Sequence, residues 1–464
     1  ANASVSAGRN ILDGNAAALN ISANGLILNA GQSIATGGDA LDTRVSTLSV
    51  NAGAGGAFVT EANGVSVDTV SVNVNRVASD ASVPATASGS AAISQEDLLT
   101  SGAGALVLTS TTGDITVNDG SAATSGVSSA SGNILLQAKS GNVVLNAGVS
   151  STGTTAGTSV TGGNVSIVAS GTVTQAVDGD LSTVGNASVD VRANAIAMAD
   201  GATSDAQSGN IRYAAATTLT LGALSTNANV SLSAATITDS GTSETDITAN
   251  QLFIRTTGSA SGQGAGETTN ALETRITTLA ANIAGTGSTG GLFISEADDL
   301  LLGALNAINV NQVASTGLTQ ATIDTAQSNV SSASNAVIVT RAGSLTTLAA
   351  GGAIDTAGNL LLQALGTASD ITLGAALTNS AGHTSVNAAR SLLQNANLTA
   401  SASGKTIDLL AGSDIVMGAG ATTTSANGAV ILTAGRDASI QTLTTGSANA
   451  SVSAGRNILD GNAA

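Results

Sequence analysis

The chain has no cysteine, so neither disulfides nor thiol chemistry contribute to it. It has a single proline, a single histidine, no tryptophan and 1% aromatic residues. One imidazole builds neither a multi-histidine metal site nor a Ser-His-Asp relay. Any core must form without bulky anchors. Cations are also scarce: 13 Lys and Arg stand against 30 Asp and Glu, a net charge of −17. Such a surface repels phosphate backbones and anionic lipid, so no nucleic acid partner is expected. No apolar run reaches the ~18 residues of a membrane helix, and no membrane insertion is expected either. Ala1 is followed by no basic-then-apolar leader, so any targeting signal is expected to lie outside this stretch.

What is present is aliphatic. Hydrophobic residues make up 42% of the 464, nearly all Ala, Val, Ile and Leu, and 56 glycines accompany them. Disordered chains are poor in such residues.

Repetition is the strongest signal. Residues 1–17, ANASVSAGRNILDGNAA, return unchanged as residues 448–464, a period of 447 residues. A second, degenerate duplication lies inside it. ALDTRVSTLSVN from Ala40 returns as ALETRITTLAAN from Ala271, and AFVTEANGVSV around Phe58 returns as LFISEADDLLL around Phe293. GNILLQA from Gly132 returns as GNLLLQA from Gly358. The organisation read from these phrases is one continuous solenoid over 1–464, with repeat unit A at 1–227 and repeat unit B at 228–447. Residues 448–464 then begin the next identical copy.

A finer beat runs beneath. Short alternating stretches such as Leu26-Ile27-Leu28, Leu48-Ser49-Val50, Val165-Ser166-Ile167 and Val430-Ile431-Leu432 recur about every 22 residues. Period-2 alternation with Val, Ile and Thr signals half-buried strands. Gly, Asn, Asp and Ser between them supply turns. Strands this short are unstable alone and are stabilised by coiling, each turn pairing with the next. The expected fold is all-β, a right-handed parallel β-helix of roughly twenty coils. Asn29, Asn51, Asn146 and Asn387 are expected to form amide ladders. Phe58 and Phe293 are expected to fill equivalent core positions or brace a loop.

The phrases GNVSIVASGTVTQ from Gly163, GAVILTAGRDASI from Gly428 and ASVSAGRNI from Ala3 resemble the repeats of filamentous haemagglutinin-type exoproteins. The ALDTRVSTLSVN…FVTEANGVSV block is similar to repeats of very large bacterial surface proteins of that group. The resemblance implies a right-handed β-helix, export across an outer membrane, and an adhesive or fibre-forming role. No functional residue carries over from it.

A search for chemistry returns little. His383 stands where Asn164 stands in the sister unit, so it reads as a turn residue. Glu296, Asp298 and Asp299 offer hard oxygen ligands for calcium, but the duplicate stretch Glu61-Ala62-Asn63-Gly64 lacks both aspartates. Asp178 with Asp180, and Glu96 with Asp97, are the other acidic pairs. Arg44 and Arg275 lie about one coil before Glu61 and Glu296 and are expected to staple coils through them, with carbohydrate contact as the alternative. The Thr218-Leu219-Thr220 array is read as not recurring at the coil spacing, which argues against ice binding. No catalytic, cofactor-binding or metal residue is assigned, no cofactor is expected, and the chain is not expected to be an enzyme.

The function expected is that of a structural shaft segment of a giant repetitive surface or extracellular fibre protein, secreted or cell-surface. A polysaccharide-binding or -degrading β-helix is the alternative. Expected partners are identical repeats end to end, lateral self-association into filaments, and cell-surface carbohydrate or protein.

Overall fold

A computed structural model describes residues 1–83, 93–120, 125–153, 161–241, 244–287 and 290–462. They form an all-β parallel solenoid of about 19 turns of about 23 residues, with no helix among the described residues. None is therefore long and apolar enough to cross a membrane.

The chain divides into two compact bodies. The N-terminal body comprises Ala1–Arg212 and Asn309–Thr322, and the C-terminal body comprises Tyr213–Ile308 and Ile323–Ala464.

Alternation in the sequence becomes alternation in space. In the N-terminal body Leu26 and Leu28 stack on Leu48 and Val50, and all four are buried. In the C-terminal body Leu362, Val386, Leu409 and Leu432 follow one another in register and are each fully buried. Like side chains above like keep this narrow interior dense. Each strand ends on an Ala column, Ala388, Ala411, Ala434 and Ala454, followed by glycine after the last three. A Cβ on Gly435 would come within 2.1 Å of the Gly412 carbonyl oxygen, and one on Gly455 within 2.2 Å of that of Gly435. Glycine is required there because coils touch backbone to backbone.

The aromatic residues divide between the inside and the outside of the coil. Tyr213 is buried completely among the aliphatic side chains, so one coil does accommodate a ring. Phe58, Phe253 and Phe293 sit at mid-strand positions whose neighbours point inward, and are nonetheless buried. Segments outside the coil cover them. Phe253 packs with Ala280, Leu305 and Ile308. A Cβ on Gly317 would lie 3.0 Å from Phe58 Cε1. These rings brace loops and are not part of the interior.

Candidate functional site

Rungs, more than a cleft, organise the polar chemistry. In the N-terminal body Asn133 Oδ1 accepts from the Asn164 N–H at 2.9 Å, and Asn164 Oδ1 accepts from the Ser188 N–H at 2.8 Å. In the C-terminal body Asn335 Oδ1 accepts from Asn359 N at 2.9 Å and Asn359 Oδ1 from His383 N at 3.0 Å. His383 continues that column, its Nδ1 accepting from Thr406 N at 3.2 Å. It is an exposed turn residue with a structural partner.

These ladders precede the strands. Of the four asparagines expected to stack, Asn29 and Asn51 are in register. Asn146 bonds Asn118 at 2.9 Å in another column. Asn387 lies between Gln363 and Leu410.

The expected Arg–Glu staples are not what the structure contains. Glu61 and Glu296 are fully buried. Glu61 Oε2 accepts from Thr43 Oγ1 at 2.7 Å, and Oε1 accepts from the N–H groups of Val45 and Ala62. Glu296 repeats this with Thr274 at 2.7 Å, Ile276 and Ala297. Burial pushes both carboxyls up, Glu296 to about 7, against the opposing pull of these donors. Arg275 turns outward and staples the adjoining coil through Asp298, 23 residues on, at 2.9 Å in place of Glu296, and Arg44 is exposed. The guanidinium stays in water because a buried charge costs more than its pairing returns. Staples do occur elsewhere: Arg390 bonds Asp370, Arg436 bonds Asp414, and Arg456 bonds Asp437.

The acidic stretch Glu296, Asp298 and Asp299 does not gather as a trio. The buried Glu296 meets the Asp298 carboxyl, which helps raise it, Asp298 also pairs with Arg275, and Asp299 accepts from Ser344 N at 2.6 Å. Asp180 likewise accepts from Thr203 N at 2.7 Å, and Asp178 is exposed. Asp97 is buried, and desolvation with Glu96, Asp119 and Asp68 nearby raises it to about 6. The threonines need a correction as well. Thr218 and Thr220 do recur one coil on, stacking on Thr236 and Thr238, with Thr220 Oγ1 at 3.2 Å from Thr238 Oγ1. The spacing is shorter than the average coil, which hid it.

One carboxylate cluster escaped sequence reading. Oxygens of Asp239, Asp246 and Glu273 all lie within 4.8 Å of one another. Asp246 is 4% exposed. Its Oδ2 accepts from Glu273 N at 2.8 Å, Asp239 Oδ1 accepts from Gly241 N at 2.8 Å, and Arg341 reaches Glu273 at 3.3 Å. Burial foremost, then the hydrogen bond and charge of Asp239, push Asp246 up to about 9. Glu273 is raised as well, by burial and Asp239. Deprotonated, the three would offer hard oxygen ligands to a divalent cation. At neutral pH Asp246 carries a proton and acts as a rung. Its counterpart in repeat unit A is Asn20, whose Oδ1 accepts from Asp42 N at 2.7 Å and whose Nδ2 donates to Asp13 at 2.7 Å.

A groove of about 750 Å³ in the C-terminal body is lined by Thr226, Thr248, Arg275, Asp298 and Asp299 among others. Its one cation already pairs with Asp298. No protein-family model, no curated protein and no solved structure matches this chain.

Proposed function

We propose that this chain is a segment of the shaft of a giant, repetitive, secreted or cell-surface fibre protein, of the filamentous haemagglutinin type. It acts as a scaffold and not as a catalyst. The observation that carries this reading is the return of the opening seventeen residues as a stacked coil. Ala450–Ala454 pairs in register with Val430–Ala434, and Asn457–Asp460 with Asp437–Ile440. Arg456 and Asn457 both bond Asp437, whose carboxyl the Arg456 hydrogen bond holds down at about 2. Arg9 and Asn10 are the same residues one period earlier. Each further copy therefore continues the same ladder, because parallel coils present unpaired backbone edges that an identical coil satisfies.

The polysaccharide reading carries less weight, since the groove at Arg275 lacks an uncompensated base or cation. Electron microscopy of head-to-tail fusions tests the shaft. At ~4.8 Å per turn, each added period should lengthen the particle by roughly 90 Å at constant width. Copies appearing as separate lobes on flexible joints would overturn it.

A further inference from the structure

In the N-terminal body the outward mid-strand positions Phe58, Val107, Leu135, Ser166 and Asp190 follow in register. All are buried, because Asn309–Thr322 lies over them. Asn311 N donates to Ser188 Oγ at 3.2 Å, Gln312 Nε2 to Asp190 Oδ2 at 3.2 Å, and Val313 N to Ser166 Oγ at 2.9 Å. Val310 and Val313 are 0% and 2% exposed. Arg192 and Arg212 complete the neutralisation of Asp190, at 3.1 and 3.2 Å.

The equivalent column in the C-terminal body is Phe293, Val337, Leu361, Ser385 and Asp408, in the same register. Here Val337, Leu361 and Ser385 are half-buried, and Asp408 and Ile431 are exposed. A groove of about 600 Å³ opens beside Phe293, Val337 and Leu365. Leu410 stands where Arg192 stands, and Ile431 stacks on Asp408.

Repeat unit A carries its own hairpin, Val70–Val72 paired antiparallel with Ile93–Gln95. Its continuation from Val72, VNVNRVAS, matches INVNQVAS from Ile308. Asn2 Nδ2 donates to Ser71 O at 2.9 Å, so the strand has reached the first coil by Ser71. Val74 and Val77, the counterparts of Val310 and Val313, are 69% and 64% exposed. Arg76 replaces Gln312, and it does so where the matching aspartate, Asp408, has Leu410 in place of Arg192.

We propose that residues 72–79 of one copy dock on the Ser385–Asp408–Ile431 face of the preceding copy, with Arg76 on Asp408 and Val77 against Ser385. The occupant is a second copy of this chain. The contact buries the two exposed valines and Ile431 and restores a charge-assisted bond to the aspartate. It latches consecutive copies across several coils, and it rests on the shaft reading above.

The cysteine-free chain suits a disulfide test. In a fusion of residues 1–447 to a second copy of 1–464, Ser385→Cys is placed in the first copy and Val77→Cys in the second. The bond should form as readily as the Ser166→Cys/Val313→Cys pair within one copy, where the Val313 N–H already bonds the Ser166 hydroxyl. With the same substitutions in exchanged copies, its yield should fall about ten-fold or more. In the unsubstituted fusion, amide exchange over residues 72–79 should be about ten-fold slower in the second copy than in the first. Equal yields in both arrangements, or equal exchange in both copies, would overturn the docking. If the fusion doubles in length yet shows neither bias, the latch alone is wrong. If the length does not double, the shaft reading fails first.

Discussion

Repeat units A and B build the same geometry from different chemistry. In unit A, Asn20 receives the Asp42 N–H and donates to Asp13. In unit B, Asp246 receives the Glu273 N–H and faces Asp239. An amide does both tasks while neutral. A carboxyl does both only when protonated, which is why burial and Asp239 hold Asp246 at about 9. Where a second acid faces the rung, a neutral donor–acceptor is needed, and Asp246 adapts its protonation to supply it. Where an arginine faces it, as Arg390 does Asp370, a carboxylate held down by that bond accepts the same kind of backbone N–H. The buried glutamates teach the converse. Glu61 and Glu296 are the same residue in both units because each satisfies several donors that no neutral substitute of that reach would cover.

The comparison can be broken most forcefully at those glutamates. Glu61→Ala and Glu296→Ala should each destabilise their own coils by about 2–4 kcal/mol, through buried N–H and hydroxyl groups left unpaired. Hydrogen exchange localises the loss, and a large disparity between the two would end the claim of equivalence. Next comes the rung. The folded value of Asp246 lies above its unfolded one near 4. From about pH 4 to pH 9 the native state therefore keeps a proton that the unfolded chain has lost. Stability contributed here falls as pH rises, by up to about 1.4 kcal/mol per unit, and levels off above pH 9. Asp246→Asn, copying Asn20, should flatten that slope in denaturant unfolding at pH 6 and pH 9. An unchanged slope would show that Asp246 is ionised. The smallest effect is expected at Arg275→Ala, under about 1 kcal/mol, since Arg275 and Asp298 are both about half exposed. A loss as large as that of Glu296→Ala would show that this staple counts for as much as the buried glutamate.

Much of this was legible beforehand. Alternation at Leu26-Ile27-Leu28 or Val430-Ile431-Leu432 identified strands, and recurrence about every 22 residues required coiling. The turn character of His383 followed from its exchange with Asn164. Other features were hidden because coil length varies locally. Thr218 and Thr236 lie 18 residues apart, off the average spacing, so their stacking was invisible. Asp239, Asp246 and Glu273 are separated in the chain and meet only because one coil closes over the last. The direction of Arg44 and Arg275 also escaped, since separation by about a coil fixes height along the axis but not whether a side chain turns inward.

By itself the amino-acid order determined a one-dimensional object: strands of period two, glycine where backbones touch, and aliphatic residues that stack on their own kind. These follow from steric and hydrophobic rules that act between neighbours a fixed distance apart. Tertiary structure decided which outward positions are covered. The rings of Phe58, Phe253 and Phe293 and the burial of Asp190 depend on segments packed outside the coil, and the neutral state of Asp246 on the coil that closes over it. Desolvation is set by everything within a few ångströms, wherever in the chain it comes from, and no local pattern encodes that.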